Sequence, residues 1–253
     1  MPIAFARRLT GRSRSPEADR HLGYALAFIA GGINAGGFVA VHQYTSHMTG
    51  IASSLSNSVA SGAWTLAGGS LLSLLSFATG ATICTLLIRG ARRRRMHSEY
   101  ALPLLLEALL LLAFGMAGRR LGVEAAVPFA AKVALLCFIM GLQNALVTKL
   151  SRAEIRTTHV TGIVTDIGIE LGRRIADRRD AAAAKVAGSG KSKLRLLVAL
   201  LAAFIVGGIV GTAAFRAIGD LATIPLATML IACALVPLAD DARDWHATRH
   251  GAD

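Results

Sequence analysis

The chain has 253 residues, of which 54% are hydrophobic and 17% are charged, and it carries a net charge of +12 at pH 7. Soluble domains have about 25% charged residues, so the composition argues against an ordinary soluble domain. The basic residues lie between long uncharged runs rather than along one face of a polar domain. This pattern argues against nucleic-acid binding and is typical of cytoplasmic loops in membrane proteins.

Six apolar runs approach the length of about 20 residues that a helix needs to cross some 30 Å of hydrocarbon. In chain order they are residues 22–42, 64–88, 101–118, 126–148, 196–215 and 221–239. The runs are too long for strands and lack the alternation of a barrel, and a helix satisfies its own backbone in lipid. We therefore predict an all-α integral membrane protein with about six transmembrane helices.

The Lys and Arg residues lie almost entirely on one side of these spans. That side carries 23 of them and comprises residues 1–20, 89–99, 149–195 and 240–253. The other side carries three and comprises residues 43–63, 119–125 and 216–220. Cytoplasmic loops hold such an excess, so both termini are predicted in the cytoplasm, with residues 1–20 as an arm and 241–253 as a tail.

An internal repeat organises the chain. GGINA at 31–35 matches GLQNA at 141–145, SHMTGI at 46–51 matches THVTGI at 158–163, and Phe77-x-x-Gly80 matches Phe204-x-x-Gly207. Each copy holds three spans, an odd number, so the second copy must enter the bilayer from the opposite side. We predict two inverted three-helix repeats, residues 21–120 and 121–240, the second containing the basic cytoplasmic loop 149–195. Inverted repeats in membranes are typical of transporters and channels, with the site near the midplane.

Each copy is also predicted to contain an extra short helix, within residues 46–62 and 158–172. Ser46 and Thr158 suit the N-cap position of these helices. If the helices re-enter the bilayer, their N-termini present partial positive charge and free N–H groups, which attract anions or carboxylates. The Thr-Gly pairs that follow would permit close approach of another helix or of a substrate.

Polar residues in or beside the spans are candidates for a solute path. Each duplicated Asn is costly in lipid unless bonded, so it is expected to hydrogen-bond the neighbouring copy or to line the path. The two equivalent His residues could face each other, but a metal site needs further ligands and none is indicated. The acidic residue lies roughly 10 Å into the third span, which favours proton coupling or pairing with an arginine such as Arg95. The candidates are Asn34, His47, Thr49, Gly50, Glu107, Gln143, Asn144, His159, Thr161 and Gly162.

No hydrolase triad, zinc-protease motif or phosphate loop is present in the sequence, and the glycines lack the strand-loop-helix context of a dinucleotide site. We therefore predict no enzyme, catalytic residue, metal or cofactor. The leading hypothesis is a transporter or channel whose partners are the lipid bilayer and a small solute or anion. A non-transporting scaffold or partner-binding protein is the alternative, an intramembrane enzyme ranks last, and homo-oligomer formation stays open.

Four segments of the chain resemble the YoaK family of bacterial membrane proteins, which carry a domain of unknown function. They are TSHMTGI at 45–51, LLLEALLLL at 104–112, GLQNA at 141–145 and RTTHVTGI at 156–163. The resemblance covers about residues 22–240. It implies a polytopic protein of the bacterial inner membrane without an assigned activity.

Overall fold

The computed structural model describes residues 16–94, 96, 99–120, 128–150, 157–177 and 188–235. Within these residues the chain is helical and contains no strand. The predicted tail 241–253 and most of the predicted arm 1–20 lie outside the described residues. The predicted division into two domains stays a prediction.

The helices follow one another in the order of the predicted spans. The first span consists of α1 (Pro16–Gly31), a π-helical turn (Gly32–Gly36) and α2 (Gly37–Val41). After it come α3 (Met48–Ala60), α4 (Trp64–Arg93), α5 (Ala101–Arg120) and α6 (Phe129–Leu150). The remainder consists of α7 (Val160–Asp177), α8 (Gly188–Ile218), a 3₁₀ turn (Gly219–Ala222) and α9, residues 223–235. The extra short helix predicted in each copy corresponds to α3 and α7.

Among the described residues, four helical stretches are long and apolar enough to cross a membrane, which makes this an all-helical membrane protein. They are Arg20–Val41, Trp64–Arg93, Phe129–Leu150 and Ser192–Leu235. The predicted third span corresponds to a shorter apolar helix, Ala101–Ala117. The predicted fifth and sixth spans both fall within the last stretch, although residues 236–239 lie outside the described part.

The last stretch is not one straight helix, because the chain reverses after α8. A Cβ on Gly32 would lie 3.3 Å from a side-chain carbon of Leu226 and 3.5 Å from the carbonyl oxygen of Gly207. In a straight helix, residues 207 and 226 would stand about 28 Å apart. Gly219 lies between them with a φ of +60°, a left-handed conformation that glycine adopts without steric cost. α8 and α9 therefore form a helical hairpin.

The helices α4 and α6 pack against each other at two glycines, where the absence of a side chain lets the two backbones touch. A Cβ added at Gly80 would overlap the carbonyl oxygen of Phe138, and one added at Gly141 would overlap that of Phe77. Small residues let membrane helices approach this closely. Both glycines therefore serve the packing of α4 on α6.

The helix α1 packs against α8 through the same pair of contacts. A Cβ added at Gly31 would overlap the carbonyl oxygen of Phe204, and one at Gly207 would overlap that of Phe28. Gly211 packs in addition against the backbone of Gly32. Residues that match in the two halves of the sequence thus make matched contacts in the fold.

The contacts between helices also fix their directions. Gly31 lies beside Phe204 and Gly36 lies beside Phe215, so α1 runs parallel to α8. Phe77 lies beside Gly141, and Ser73 contacts Cys137, so α4 runs parallel to α6.

The two parallel pairs run against each other. The amide nitrogen of Gln143 donates to the carbonyl oxygen of Leu26 at 3.2 Å, whereas Gly37 packs against Leu136. Residue numbers increase along α1 in the direction in which they decrease along α6, so the two helices are antiparallel. It follows that α1 and α8 run one way through the bundle and α4 and α6 run the other way.

The two short helices also point in opposite directions. The Ser70 hydroxyl lies 3.5 Å from that of Ser54, and a short turn joins α3 to α4, so these two helices are antiparallel. The start of α7 lies near Phe204, while Asp166 reaches Lys193 at 3.9 Å, so α7 is antiparallel to α8. Because α4 opposes α8, α3 opposes α7.

Candidate functional site

A cavity of about 690 Å³ lies where the N-termini of α3 and α7 meet. Its polar lining comes from both halves of the chain. The first half contributes Asn34, Tyr44, Ser46, His47 and Thr49, and the second contributes Asn144, Thr158, His159 and Thr161. Six of the ten residues predicted for a solute path are therefore brought together here. The two short helices enter this cavity from opposite sides because they point in opposite directions.

A hydrogen bond to Asn34 draws the first loop back into the bundle. The backbone nitrogen of Ser46 donates to the side-chain oxygen of Asn34 at 3.1 Å. Asn34 precedes Val41, the last residue of α2, by seven residues, which corresponds to about 10 Å along a helix. The chain thus leaves α2 and returns by that distance before α3 begins.

The second loop returns in the same way to Asn144. The hydroxyl of Thr158 donates a hydrogen bond to the side-chain oxygen of Asn144, whose amide nitrogen donates to the carbonyl oxygen of Met140 at 2.8 Å. Asn144 precedes Leu150, the last residue of α6, by six residues, or about 9 Å. Both loops are therefore re-entrant with respect to the helices that precede them.

These bonds bear on two predictions. In the bonds that the structure describes, Asn34 and Asn144 each contact a loop of their own copy rather than the neighbouring copy, and both line the cavity, which was the other alternative. Ser46 is not the N-cap of α3, because the helix begins at Met48 and His47 occupies that position without a side-chain cap bond. The physical reason is that each short helix begins two residues after the predicted cap, at Met48 and at Val160, and that the hydroxyl of Thr158 is already bonded to Asn144.

The two loops also expose and bury matched residues in the same order. The burial pattern runs buried, intermediate, exposed, intermediate and exposed along residues 45–49, and it is the same along residues 157–161. The buried hydroxyls of Thr45 and Thr157 have no hydrogen-bond partner among the described residues. Residues that match between the two copies in sequence are thus also matched in how far they are buried beside the cavity.

The electrostatic environment of the cavity is set by the first turns of α3 and α7. Met48 and Thr49 line it from one helix, and Val160 and Thr161 line it from the other. The N-terminus of a helix carries unsatisfied N–H groups and a partial positive charge. In the described part of the chain the lining contains no acidic side chain, so the cavity suits a neutral or negatively charged solute.

The glycines of the two Thr-Gly pairs behave differently from each other. A Cβ on Gly50 would come within 2.6 Å of the imidazole of His47, so the glycine gives room to that ring. A Cβ on Gly162 would meet nothing within 4 Å. The predicted close approach of another helix is therefore not seen at either position.

Two predicted path residues lie away from the cavity, inside the packed bundle. Glu107 on α5 is fully buried, and neither of its carboxylate oxygens has a hydrogen-bond partner in the described structure. Gln143 is also fully buried, with its nitrogen bonded to Leu26 and its oxygen without a partner. Arg95, the suggested partner of Glu107, lies outside the described residues.

Three aromatic residues of the site were not predicted from the sequence: Tyr44, Phe77 and Phe204. Phe77 and Phe204 line the cavity as a further matched pair. Both had served only as markers of the repeat. A signal for the two phenylalanines was present in the sequence, because each precedes a tightly packed glycine, Gly80 or Gly207, by three residues. Such a glycine fixes the depth in the bundle of the helical turn that carries the phenylalanine.

The cavity offers little to a metal ion. Among the described residues no group of three or more His, Cys, Asp or Glu side chains is placed to hold one. His47 and His159 would be two nitrogen donors at most, whereas structural zinc takes four ligands and catalytic zinc three from protein. The polar groups that the described residues present to the cavity are hydroxyl, amide and imidazole groups.

Comparison with known proteins gives a family but no function. No curated protein and no solved structure matches the chain. A family model described as "Protein of unknown function (DUF1275)" matches residues 22–236. The match supports the domain of unknown function that the motifs implied and does not carry the YoaK name. Because it covers most of the 253 residues, the chain belongs to the DUF1275 family of proteins of unknown function.

Proposed function

We propose that this protein is a transporter or channel for a small solute, with an anion as the favoured cargo, in the bacterial inner membrane. The observation that carries the proposal is the 690 Å³ cavity with matched Asn, His and Thr residues from both halves. The proposal assigns no catalysis and no cofactor. It includes the YoaK relationship suggested by the four sequence motifs.

The proposal also takes the chain to cross the bilayer six times as two inverted three-helix halves, with both termini in the cytoplasm. Three observations support this arrangement. The matched helices α1 and α6 run in opposite directions, as do α4 and α8. The glycine contacts of α4 with α6 repeat those of α1 with α8. The positive charge excess of 23 against three in the sequence supports the orientation.

The depth of the cavity is that of a transport site. Phe77 is the 14th of the 30 residues of α4, and Phe204 is the 17th of the 31 residues of α8. Both helices are long enough to span the bilayer, so their middle turns would lie near its centre. Transporters with inverted repeats bind their cargo at that level, between the repeats and beside interrupted helices.

Replacing both cavity asparagines should stop transport. In the Asn34→Leu, Asn144→Leu double variant the loops lose the acceptors that hold them, and the cavity loses two amides. We expect protein-dependent flux to fall at least tenfold, measured by light scattering of proteoliposomes with glycerol, urea, formate, acetate and lactate as probes. Asn57→Leu is the matched control, because Asn57 is exposed on α3 and does not line the cavity. Absence of protein-dependent flux for all five probes, or equal flux in the double variant, would contradict the proposal.

A scaffold without transport is the second candidate, and the glycine contacts are the observation that favours it. Gly31, Gly80, Gly141 and Gly207 bring helices together at backbone distance, and such packing needs no solute. A protein of this kind would not require hydrophilic loops to return to a shared cavity. The vesicle measurement separates the two candidates, because a scaffold moves none of the probes.

A further inference from the structure

A second pocket of about 410 Å³ lies between α7 and α8, at the end of the bundle where α8 begins. It is lined by two arginines and by small or apolar residues. The lining residues are Arg174, Leu194, Arg195, Val198, Ala199 and Ala202. In the described structure no acidic side chain lines this pocket, so its charge is positive at one end while the other end is apolar.

Two acidic residues of α7 are paired with basic groups that do not line the pocket. Glu170 lies 3.7 Å from Arg173, and Asp166 lies 3.9 Å from Lys193. The neighbouring Arg20 reaches Ser192 on α8 at 3.4 Å, which adds a further positive charge to this end of the bundle. Among the side chains that the structure describes around the pocket, the basic groups therefore outnumber the acidic ones.

The apolar end of the pocket continues as a lane along the surface of α8. Val198, Ile205 and Ile209 are 48%, 51% and 65% exposed, and Ala202 is exposed between them. Their spacing of three and four residues places them on one face of the helix. From residue 198 to residue 209 the lane is about 16 Å long, close to half of the 30 Å hydrocarbon thickness and hence to one leaflet.

We propose that this pocket binds an anionic phospholipid, with the phosphate between Arg174 and Arg195 and one acyl chain along the α8 lane. Arginine pairs phosphate oxygens through a planar fork of donors, and basic pockets between helices on the cytoplasmic side bind anionic headgroups. The charge pattern of the sequence places this end of α8 at the cytoplasmic leaflet, where anionic lipids are found. The lane favours a lipid over free phosphate, because phosphate has no acyl chain to contact the apolar residues of α8.

The test is lipid binding to the purified, delipidated full-length protein by native mass spectrometry. Phosphatidylglycerol is compared with phosphatidylcholine of the same acyl chains. In the Arg174→Gln, Arg195→Gln double variant we expect phosphatidylglycerol binding to weaken roughly 30-fold, about fivefold for each arginine. Phosphatidylcholine binding should be weak and unchanged. An Ala202→Trp variant, which obstructs the lane and leaves the charge intact, should weaken phosphatidylglycerol binding as well.

The matched control is Arg93→Gln with Arg94→Gln, which removes two exposed basic residues at the same side of the protein but outside the pocket. We expect it to retain wild-type lipid affinity. An equal loss in this control, or unchanged binding in the pocket variant, would overturn the proposal. Displacement of the lipid by equimolar inorganic phosphate would also overturn it, because the site would then be one for phosphate alone. If the double variant does not fold, Arg195→Gln alone gives the same test with an expected fivefold loss.

Discussion

Gly141→Ala is expected to prevent stable folding. A methyl group at this position would overlap the carbonyl oxygen of Phe77, so α4 and α6 would have to separate along their contact. Side chains can change rotamer to relieve such overlap, but a helix backbone cannot. Overpacking of a protein interior costs about 1–3 kcal/mol, and we expect at least the upper end of that range here. The measurement is thermal unfolding in detergent, together with the monodisperse fraction in size-exclusion chromatography.

The control for this substitution is Gly68→Ala. Gly68 lies on α4, and a Cβ there would meet nothing within 4 Å. Since alanine is the better helix former by about 1 kcal/mol, the control should be as stable as the wild type or more so. Gly80→Ala should match Gly141→Ala, because it introduces the equivalent overlap with Phe138. Wild-type unfolding of Gly141→Ala would show that the two backbones are not in contact.

A carboxylate placed in the cavity should stop anion movement without damaging the fold. Thr49 and Thr161 lie in the first turns of α3 and α7, and both are exposed to the cavity. Aspartate in the first turn of a helix is stabilised by the helix dipole, so Thr49→Asp with Thr161→Asp should fold normally. Inside the cavity the two new negative charges repel an anion and cancel the attraction of both N-termini. We expect formate and acetate flux to fall about 100-fold, equivalent to roughly 2.7 kcal/mol.

The comparison that makes this result specific is Ser56→Asp with Thr165→Asp. These residues are exposed on the same two helices, but they do not line the cavity. They add the same charge and should leave anion flux near the wild-type value. Equal inhibition by both pairs would indicate a general charge effect. Undiminished anion flux in the cavity variant would mean that the solute does not pass between the two N-termini.

The part of the site that could be predicted from the sequence is the part that the repeat marks twice. His47 and His159, like Thr49 and Thr161, were recognised because they occupy equivalent places in two copies. A pseudo-two-fold arrangement brings such duplicated residues to one region, and they do line one cavity. Phe77 and Phe204 carried the same mark, yet an apolar residue in an apolar span gives no separate indication of lining a path.

Other features could not be predicted because they depend on the path of the backbone between helices. The sequence shows that Asn34 needs a hydrogen-bond partner, but its partner is the backbone nitrogen of Ser46, which only the returning loop brings near. The π-helical turn at Gly32–Gly36 has no counterpart at residues 142–146, which are α-helical. The two copies differ in sequence at this turn, because Gly32 and Gly36 stand where the second copy has Leu142 and Leu146, but that difference alone does not predict a π-helical turn.

The burial of Glu107 also shows the limit of reasoning from one position. A carboxylate in an apolar span favours a functional site, and the sequence alone placed it with the path residues. In the fold it faces the packed side of α5, together with Leu104, Ala108 and Leu111, all of them fully buried. The depth of a residue along a span can be estimated by counting residues. Whether its side chain faces a cavity or the packed interior depends on how the helix packs against its neighbours.

Labelling of introduced cysteines, with the buried Cys84 and Cys137 retained, tests most directly whether α3 and α7 enter the membrane from opposite faces. Ser61→Cys lies in the turn after α3 and Ala176→Cys lies near the end of α7, both at exposed positions, in a background with Cys233 replaced by serine. With a membrane-impermeant maleimide, we expect Ser61→Cys to react in intact spheroplasts and Ala176→Cys to react only in inverted vesicles. Reaction of both cysteines from the same side would contradict the inverted arrangement, and with it the shared cavity as a route across the membrane.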